Sequence, residues 1–411
     1  MYNSVFVALV GVLLFGYVLE RVLDTLNLKH ILPALPPELS GIYDQEEYAK
    51  SQLYKRDNTR FSYFTSSLSL LVMLLMFFLG GFGWLDRLVA GFTGNYIIHV
   101  LLFFGLLALS ADILATPFAV YNTFVLEERY GFNRTTIRTF ILDKIKGWVL
   151  GALIGGGLLA LITWIYLLTG AWFWLIALGV ITLFSLFMTM FYSNLIVPLF
   201  NKQTPLEEGT LRSKIENFAT QAGFALDNIY VMDGSKRSSK ANAYFTGLGP
   251  KKRIVLFDTL IKDLDEEEIV AVLAHEVGHY KKKHTTTGMI LGTLQTAITL
   301  FLFSLFVGKD SFAMALGGEE ASFHLGLVAF GILYSPISLL LGLGNNALSR
   351  RHEYQADRFA REKYLASYLV SSLKKLSKNN LSNLAPHPAY VFVHYSHPPL
   401  LQRIRALMAE S

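Results

Sequence analysis

The chain has 411 residues, of which 53% are hydrophobic and only 16% are charged, and its mean hydropathy is +0.41. Soluble globular proteins carry about 25% charged residues, so this composition excludes an ordinary soluble protein and indicates an integral membrane protein. The absence of cysteine excludes disulfides, thiolate metal ligands and cysteine nucleophiles. Any metal must therefore be bound by histidine and carboxylate side chains.

Seven apolar stretches are long enough, or nearly so, to cross the roughly 30 Å hydrocarbon core of a bilayer. They predict an all-α polytopic membrane protein with seven transmembrane helices, whose termini lie on opposite sides. In chain order the stretches are Val5–Val22, Tyr63–Leu85, Tyr96–Tyr121, Trp148–Leu168, Trp172–Pro198, Thr286–Val307 and His324–Leu343.

The lysines and arginines indicate how the chain is oriented in the membrane. All 36 of them except Arg87 and Lys309 fall on the side of the segments that follow the first, third, fifth and seventh stretches. Cytoplasmic loops carry the excess of basic residues, so the N-terminus is predicted outside or in a lumen and the C-terminus in the cytoplasm. The net charge of +5 fits this asymmetry, and no nucleic-acid partner is predicted.

Four regions follow from this pattern. Residues 1–200 contain spans one to five, residues 201–284 form a first water-facing domain, residues 285–344 contain spans six and seven, and residues 345–411 form a C-terminal helical segment. Within the first water-facing domain we expect a small β element between helices. The predicted elements are a helix around Glu207–Phe224, strands over Asn228–Met232 and Arg253–Phe257, and a helix that starts at Asp263 or Asp265 and runs to Lys283.

The last of these helices contains an HExxH motif, which runs from His275 to His279. Two histidines four residues apart lie about 40° apart around a helix axis, so both rings can reach one metal ion. The glutamate between them, Glu276, then lies where it can act as general base on a zinc-activated water. The position that would hold a third histidine in the metzincin spacing is Thr285. His284 is predicted on the opposite helical face and is not expected to be a ligand.

A distant carboxylate is the remaining source of a third ligand, and Glu353 fits. It lies on a predicted helix with Asp357 one turn later, and an acid so placed commonly holds the N–H of a metal-bound histidine. Two predicted spans separate HExxH from Glu353, so both motifs return to the same side of the membrane. Taken alone, the pair also fits a surface helix whose acids bind neighbouring arginines.

The HExxH and ExxxD motifs on a seven-span chain resemble the integral-membrane CAAX prenyl protease 1 family of zinc metalloproteases. The resemblance implies seven long helices around a large water-filled chamber, one Zn²⁺ per chain at its cytoplasmic side, and removal of the last three residues after a prenylated cysteine. Other stretches follow the same family pattern: residues 121–128 (YNTFVLEE), 130–133 (YGFN), 234–239 (GSKRSS), 242–245 (NAYF), 253–260 (RIVLFDTL) and 394–403 (HYSHPPLLQR).

The resemblance also implies roles for residues outside the two motifs. His397 is a candidate to stabilise the oxyanion of the reaction. Asn242 and Ala243 resemble the edge-strand pair by which related zinc peptidases bind substrate backbone. Arg403 is expected either to bind the C-terminal carboxylate of the substrate or to hold the site by a salt bridge. Asp112, an acid within the third span, has no matching role.

Two alternative functions remain open at this point. A membrane-protein quality-control protease would use the same zinc chemistry on a broader set of substrates. A non-catalytic seven-span receptor or channel would contain the motif by coincidence. The expected partners are a peptide or protein substrate and the lipid bilayer, and no oligomer is implied. The membrane is predicted to be a bacterial inner membrane or the endoplasmic reticulum.

Overall fold

Long apolar helices form most of the molecule, and a small domain of helices and strands joins them at one end. The computed structural model describes residues 2–30, 44–224, 228–246 and 253–409. π-Helical turns over Asn122–Glu127 and Gly151–Gly156 extend the fourth helix and join the fifth to the sixth. The helices of the first half are α1 (Ser4–Lys29), α2 (Gln45–Phe78), α3 (Gly81–Ala90), α4 (Tyr96–Tyr121), α5 (Ile137–Leu150), α6 (Gly157–Thr169), α7 (Phe173–Leu195) and α8 (Val197–Phe200).

The second half contains the sheet and the two helices that carry the metal-binding motifs. Its strands are β1 (Gln203–Pro205), β2 (Asn228–Met232), β3 (Ala243–Thr246) and β4 (Arg253–Phe257). Its helices are α9 (Thr210–Gln221), α10 (Asp258–Asp263), α11 (Glu266–Lys281), α12 (His284–Phe306), α13 (Asp310–Ala315), α14 (Phe323–Leu333), α15 (Ser335–Lys363), α16 (Ala366–Asn379), α17 (Pro388–His394) and α18 (Leu400–Met408).

Side-chain caps define where several of the long helices begin. Asn3, Asp44 and Asn95 each accept hydrogen bonds from backbone N–H groups in the first turn of α1, α2 and α4. Asp44 also forms a reciprocal capping box with Glu47. Each such cap contributes about 1 kcal/mol of helix stability, so short polar residues at these positions start helices whose remaining residues are mainly apolar.

Five helical runs among the described residues are long and apolar enough to cross a membrane, or six if the bent pair α14 and α15 is one span. The longest run, Ile137–Phe200, reverses at Gly170, whose φ of +54° favours glycine. The Lys146 ammonium near its start accordingly donates to the Leu199 carbonyl near its end, at 2.6 Å. A polytopic helical membrane protein is confirmed, while the count of seven spans stays a prediction.

Two predicted spans are interrupted in the structure. The stretch Tyr63–Leu85 was predicted as one helix, but α2 ends at Phe78 and α3 starts after Gly80, whose φ is +65°. The last stretch is broken where α15 begins, and the two pieces meet at 52°. Pro336 lies in the first turn of α15 and lacks the N–H that would continue α14. Beyond this bend α15 runs without a break past residue 344 to Lys363.

Two polar clusters join the membrane helices to one another. Asp112 of α4 accepts hydrogen bonds from Lys144 of α5 at 2.7 and 2.8 Å and from the Trp148 indole at 2.9 Å. Its charge is therefore balanced by the neighbouring helix. In the second cluster, one carboxylate oxygen of Asp86 lies 2.7 Å from a ring nitrogen of His99 and 2.7 Å from a ring nitrogen of His324.

The sheet has the strand order β1–β2–β4–β3, with β2 and β4 parallel and both outer strands antiparallel to their neighbours. β2 and β4 have the predicted bounds, and the predicted helix Glu207–Phe224 is present as the shorter α9. β1 and β3 are too short to show the alternation by which strands are recognised. One hydrophobic core joins Leu256 of β4 to Ile215 of α9, Ile269 of α11 and Leu369 of α16.

Ion pairs fasten this domain to the membrane helices just before β3. Arg237 binds both carboxylate oxygens of Asp143, at 2.7 and 2.8 Å. Lys240 donates to Glu127 and to the Tyr54 hydroxyl, both at 2.9 Å. The family-like stretches 130–133 and 234–239 contact each other here, since the Ser239 N–H donates to the Phe132 carbonyl at 3.0 Å.

Candidate metal centre and active site

Helix α11 presents the two histidines of the HExxH motif on one face. The helix starts with a capping box between Asp265 and Glu268. Three acidic residues in its first turn interact favourably with the positive end of the helix dipole and so stabilise the helix. His275 and His279 follow more than two turns later, and their Nε2 atoms lie 3.1 Å apart. Helical spacing therefore brings two potential ligand atoms together, as the sequence predicts.

Glu353 on α15 supplies the third donor opposite these histidines. Its carboxylate oxygens lie 3.5 Å from Nε2 of His275 and 3.2 Å from Nε2 of His279. The carboxylate is buried, and the three ligand atoms all lie within 4.8 Å of one another. The structure thus brings together the three side chains that the sequence nominates as metal ligands, from two helices separated by the chain of α12 to α14.

Gly278 permits this close approach of α11 and α15. A Cβ atom at this position would lie 3.0 Å from Cα of Ala356 and 3.2 Å from Cβ of Phe359. Such contacts are tighter than ordinary packing allows, so any side chain here would push the two ligand-bearing helices apart. Sequence reasoning missed this role, although a glycine inside a helix is the signal of a close packing contact.

The donor set fits a metal ion. Oε2 of Glu353 is buried and has no hydrogen-bond partner in the part of the chain that the structure describes, whereas buried polar atoms are normally paired. Two imidazole nitrogens face this carboxylate, and one side of the cluster opens to a cavity. Three nitrogen and oxygen donors with one open side match a catalytic metal site rather than a closed structural one.

Asp357 and Arg403 hold the Nδ1 side of the His275 ring in place. Oδ1 of Asp357 lies 2.8 Å from Nδ1 of His275, and both carboxylate oxygens bind the Arg403 guanidinium at 2.6 and 2.9 Å. Burial disfavours the charged imidazole, but the neighbouring carboxylates of Asp357 and Glu353 outweigh burial and raise the pKa of His275 to about 9. Burial likewise lowers the pKa of Arg403, but its bonds with Asp357 more than offset this and raise it.

His284 lies against the metal centre, where the sequence did not place it. The prediction assumed that α11 continues to residue 283, which would turn His284 away from His279. Instead Lys283 adopts a left-handed conformation with φ of +59°, and a new helix starts at His284. This conformation costs a residue with a side chain about 1–2 kcal/mol. The break brings Nδ1 of His284 to 3.0 Å from Nδ1 of His279.

Glu276 and His397 both lie at the wall of the cavity beside the donors. Nε2 of His397 is 3.3 Å from Oε1 of Glu353, and its side chain is 63% exposed. Its other ring nitrogen lies 2.9 Å from the Ser396 hydroxyl. His397 is therefore oriented by a neighbour while it remains accessible to a molecule in the cavity.

Asn242 and Ala243 lie at the free edge of the sheet, next to the same cavity. The N–H of Phe257 donates to the Asn242 carbonyl at 3.1 Å, so the main-chain N–H and C=O of every second residue, starting from Asn242, point towards β4. The main-chain groups of Ala243, the next residue, must therefore point away from the sheet. Its N–H is held by the Asn242 side chain at 2.9 Å, which leaves an edge able to accept another strand.

The cavity itself has a volume of about 940 Å³. Its wall includes the donors, the edge strand and the first turns of α12, where Gly288 and Gly292 lie. It therefore runs from the metal centre towards the membrane helices. A volume of this size is at the upper end of ordinary ligand sites.

An HExxH helix that faces a carboxylate from a second helix, at the end of a bundle of membrane-spanning helices, defines an integral membrane metallopeptidase. The chain belongs to peptidase family M48. Residues 205–411 match the model of that family, and residues 25–202 match a model described as "CAAX prenyl protease N-terminal, five membrane helices". The resemblance noted in the sequence is confirmed, and the chain is a hydrolase rather than a non-catalytic receptor or channel.

Similar proteins cover nearly the whole chain. It is 37% identical over 410 residues to the CAAX prenyl protease 1 homolog of Arabidopsis thaliana, with 98% of this chain and 97% of the relative covered. It is also 37% identical to the human CAAX prenyl protease 1 homolog, with 91% and 88% covered. The crystal structure of S. mikatae Ste24p superposes with a TM-score of 0.93 at 32% identity, and each chain is covered completely.

Proposed function

We propose that this protein is a zinc endopeptidase that removes the C-terminal tripeptide of prenylated CAAX-type proteins. The observation that carries the proposal is the cluster of His275, His279 and Glu353 beside an edge strand, in a cavity that extends towards the membrane helices. The printed names of the relatives supply the substrate class. A membrane-embedded enzyme also suits a substrate that carries a lipid at the residue before the cut.

Zinc is the metal we assign to the site. His275 and His279 offer neutral imidazole nitrogens and Glu353 offers a carboxylate oxygen, which is a common set of ligands for catalytic zinc. When bound there, the ion would supply a Lewis acid that activates water near neutral pH and polarises the scissile carbonyl. Asp357 keeps the Nδ1 proton of His275 in place, so that Nε2 faces the ion.

Glu276 is the general base in this proposal. Its side chain lines the cavity one residue from His275, where it can take a proton from the attacking water and then deliver it to the leaving amine. His397 is the group assigned to the oxyanion, since its accessible ring is 3.3 Å from Glu353 and can donate a hydrogen bond into the cavity.

Arg403 is better suited to positioning than to binding substrate. Its Nε and one terminal nitrogen are used by Asp357, and its other terminal nitrogen lies 3.6 Å from Glu353. The side chain is only 11% exposed, so little of it is available to a carboxylate in the cavity. Of the two roles that the sequence allows, these contacts favour the salt bridge that holds the site.

The edge strand β3 is proposed to bind the substrate backbone by strand addition. In this arrangement the N–H and C=O of Ala243 pair with an extended peptide, and the Asn242 side chain releases the N–H that it holds at 2.9 Å. The peptide would then lie along the cavity wall and pass the metal centre. Main-chain pairing of this kind tolerates many side chains, so specificity must come from elsewhere in the cavity.

Replacing Ala243 by proline tests the proposed strand addition. Proline removes the free-edge N–H but leaves the bonds between β3 and β4, which use the neighbouring residues. One lost hydrogen bond is worth about 0.5–1.5 kcal/mol, so we expect KM for a peptide to rise about two- to tenfold with unchanged metal content. Ala243→Ser, which keeps the N–H, is the control. An unchanged KM in a folded proline variant would exclude this mode of binding.

The metal centre is proposed to face the cytoplasm, with the N-terminus outside or in a lumen, in a bacterial inner membrane or the endoplasmic reticulum. The basic residues of the loops support this orientation. The chain has no cysteine, so single cysteines at Arg134 and Lys309 can be labelled without background. An impermeant maleimide added to the outer or lumenal side should label only the second position. Labelling of the first alone would reverse the orientation.

The substrate class is tested by comparing a farnesylated CAAX peptide with its unprenylated form in detergent. We expect a much higher kcat/KM for the farnesylated peptide, and loss of both activities with a chelator. Equal turnover of the two peptides would contradict the proposed specificity and favour the quality-control protease. Full activity in the presence of the chelator would contradict the metallopeptidase mechanism itself.

A further inference from the structure

We infer that His284 and Gln355 form a neutral hydrogen-bonded chain that orients His279 for metal binding. The inference rests on the proposed metal site and adds two positioning residues to it. Nδ1 of His275 faces the charged carboxylate of Asp357 at 2.8 Å, whereas Nδ1 of His279 faces a second imidazole, with 3.0 Å between it and Nδ1 of His284. The two ligand histidines are thus supported by different chemistry.

Nε2 of His279, the nitrogen that faces the metal site, determines the direction of both hydrogen bonds in the series His279–His284–Gln355. His279 presents Nε2 to the donor cluster, so in a neutral ring its proton resides on Nδ1. That N–H must donate to Nδ1 of His284, whose own proton then resides on Nε2. The Nε2–H in turn donates to the carbonyl oxygen of Gln355, at 2.8 Å.

The opposite arrangement is excluded by the same distances. If the amide nitrogen of Gln355 faced His284, it would donate to Nε2, and the His284 proton would move to Nδ1. Two N–H groups would then face each other across 3.0 Å between His279 and His284, with no acceptor between them. Only the carbonyl of Gln355 is compatible with a metal-binding His279.

The surroundings of His284 hold its ring in the required plane. The residue is 8% exposed, and its ring stacks on that of His352 at 3.9 Å with an interplanar angle of 9°. The left-handed turn at Lys283 is what brings the ring here. A strained residue with a side chain at such a junction is expected where function requires the geometry.

The experiment separates the hydrogen bond from the packing by two replacements of His284. His284→Asn keeps an acceptor oxygen at the position of Nδ1 but loses the stacked ring. His284→Phe keeps the ring but loses the acceptor. Zinc affinity is measured by competition with a chelating indicator, because supporting residues of this kind typically change metal affinity 10–100-fold. His352→Phe, which alters the stacking partner alone, is the matched control.

We expect His284→Phe to weaken zinc binding by about 10–100-fold, with His284→Asn and His352→Phe closer to the wild type. Gln355→Glu should preserve affinity, while Gln355→Leu should reduce it. Stronger zinc binding by His284→Phe than by His284→Asn would overturn the inference and assign His284 a packing role. Thermal unfolding of the metal-free variants verifies that they are folded. A wild-type protein without zinc affinity would instead contradict the proposed function.

Discussion

Replacing Glu276 by glutamine is expected to abolish peptide hydrolysis while one metal ion remains bound per chain. Glutamine has the shape of glutamate but cannot accept a proton, so the variant loses the general base and nothing that His275, His279 and Glu353 supply. General acid–base catalysis contributes about 10²–10⁴-fold to a rate. We therefore expect kcat to fall by at least about 10²-fold, with little change in KM.

Two measurements are needed on this variant. Metal content after gel filtration should equal that of the wild type, which shows that the donors are intact. The rate on a farnesylated CAAX peptide gives the loss of catalysis. Wild-type turnover by the Glu276→Gln variant would contradict the assigned role of general base. Among the described residues, Glu276 and the proposed ligand Glu353 are the two carboxylates that line the cavity.

Replacing Glu353 by glutamine is expected to remove both the metal and the activity. The carboxylate faces Nε2 of both histidines, at 3.5 and 3.2 Å, and it is the single anionic donor of the cluster. Two neutral imidazoles without it are fewer protein ligands than catalytic zinc sites use. We expect metal content to fall from about one to near zero per chain after brief dialysis against a chelator, and hydrolysis to fall to background.

Glu362→Gln provides the matched control for this prediction. Glu362 lies on the same helix, α15, but is exposed to solvent, so the same chemical change there should leave metal content and activity unaltered. Thermal unfolding without metal would show whether the Glu353 variant is folded. A folded Glu353→Gln protein that keeps stoichiometric metal would mean that the ligand set is wrong.

The main parts of the site could be predicted from the sequence because they depend on local periodicity. HExxH specifies two ligands within one helical turn, and Asp357 follows Glu353 on the same face for the same reason. Strands β2 and β4 are short, mainly apolar runs, and their bounds were predicted correctly. Glu353 was predicted to pair with HExxH from the spacing of Glu353 and Asp357 and from the two apolar stretches that separate the motifs.

The parts that could not be predicted depend on single backbone conformations or on distant contacts. Lys283 has no feature that signals a left-handed turn, so His284 was placed on the wrong face. The helix breaks at Gly80 and before Pro336 are each marked by a glycine or a proline in the sequence. Hydropathy, averaged over a whole predicted span, does not show them. Arg237 and Asp143 are 94 residues apart, and sequence alone cannot pair one surface charge with another among many.

The central claim is tested most directly by mass spectrometry of the products formed from a farnesylated CAAX peptide. The wild-type protein should release an intact C-terminal tripeptide and leave a peptide that ends at the prenylated cysteine. The same products should be absent with a chelator and with Glu276→Gln. Cleavage at a different bond, or unchanged release of the tripeptide by the variant, would contradict the proposed function and its mechanism.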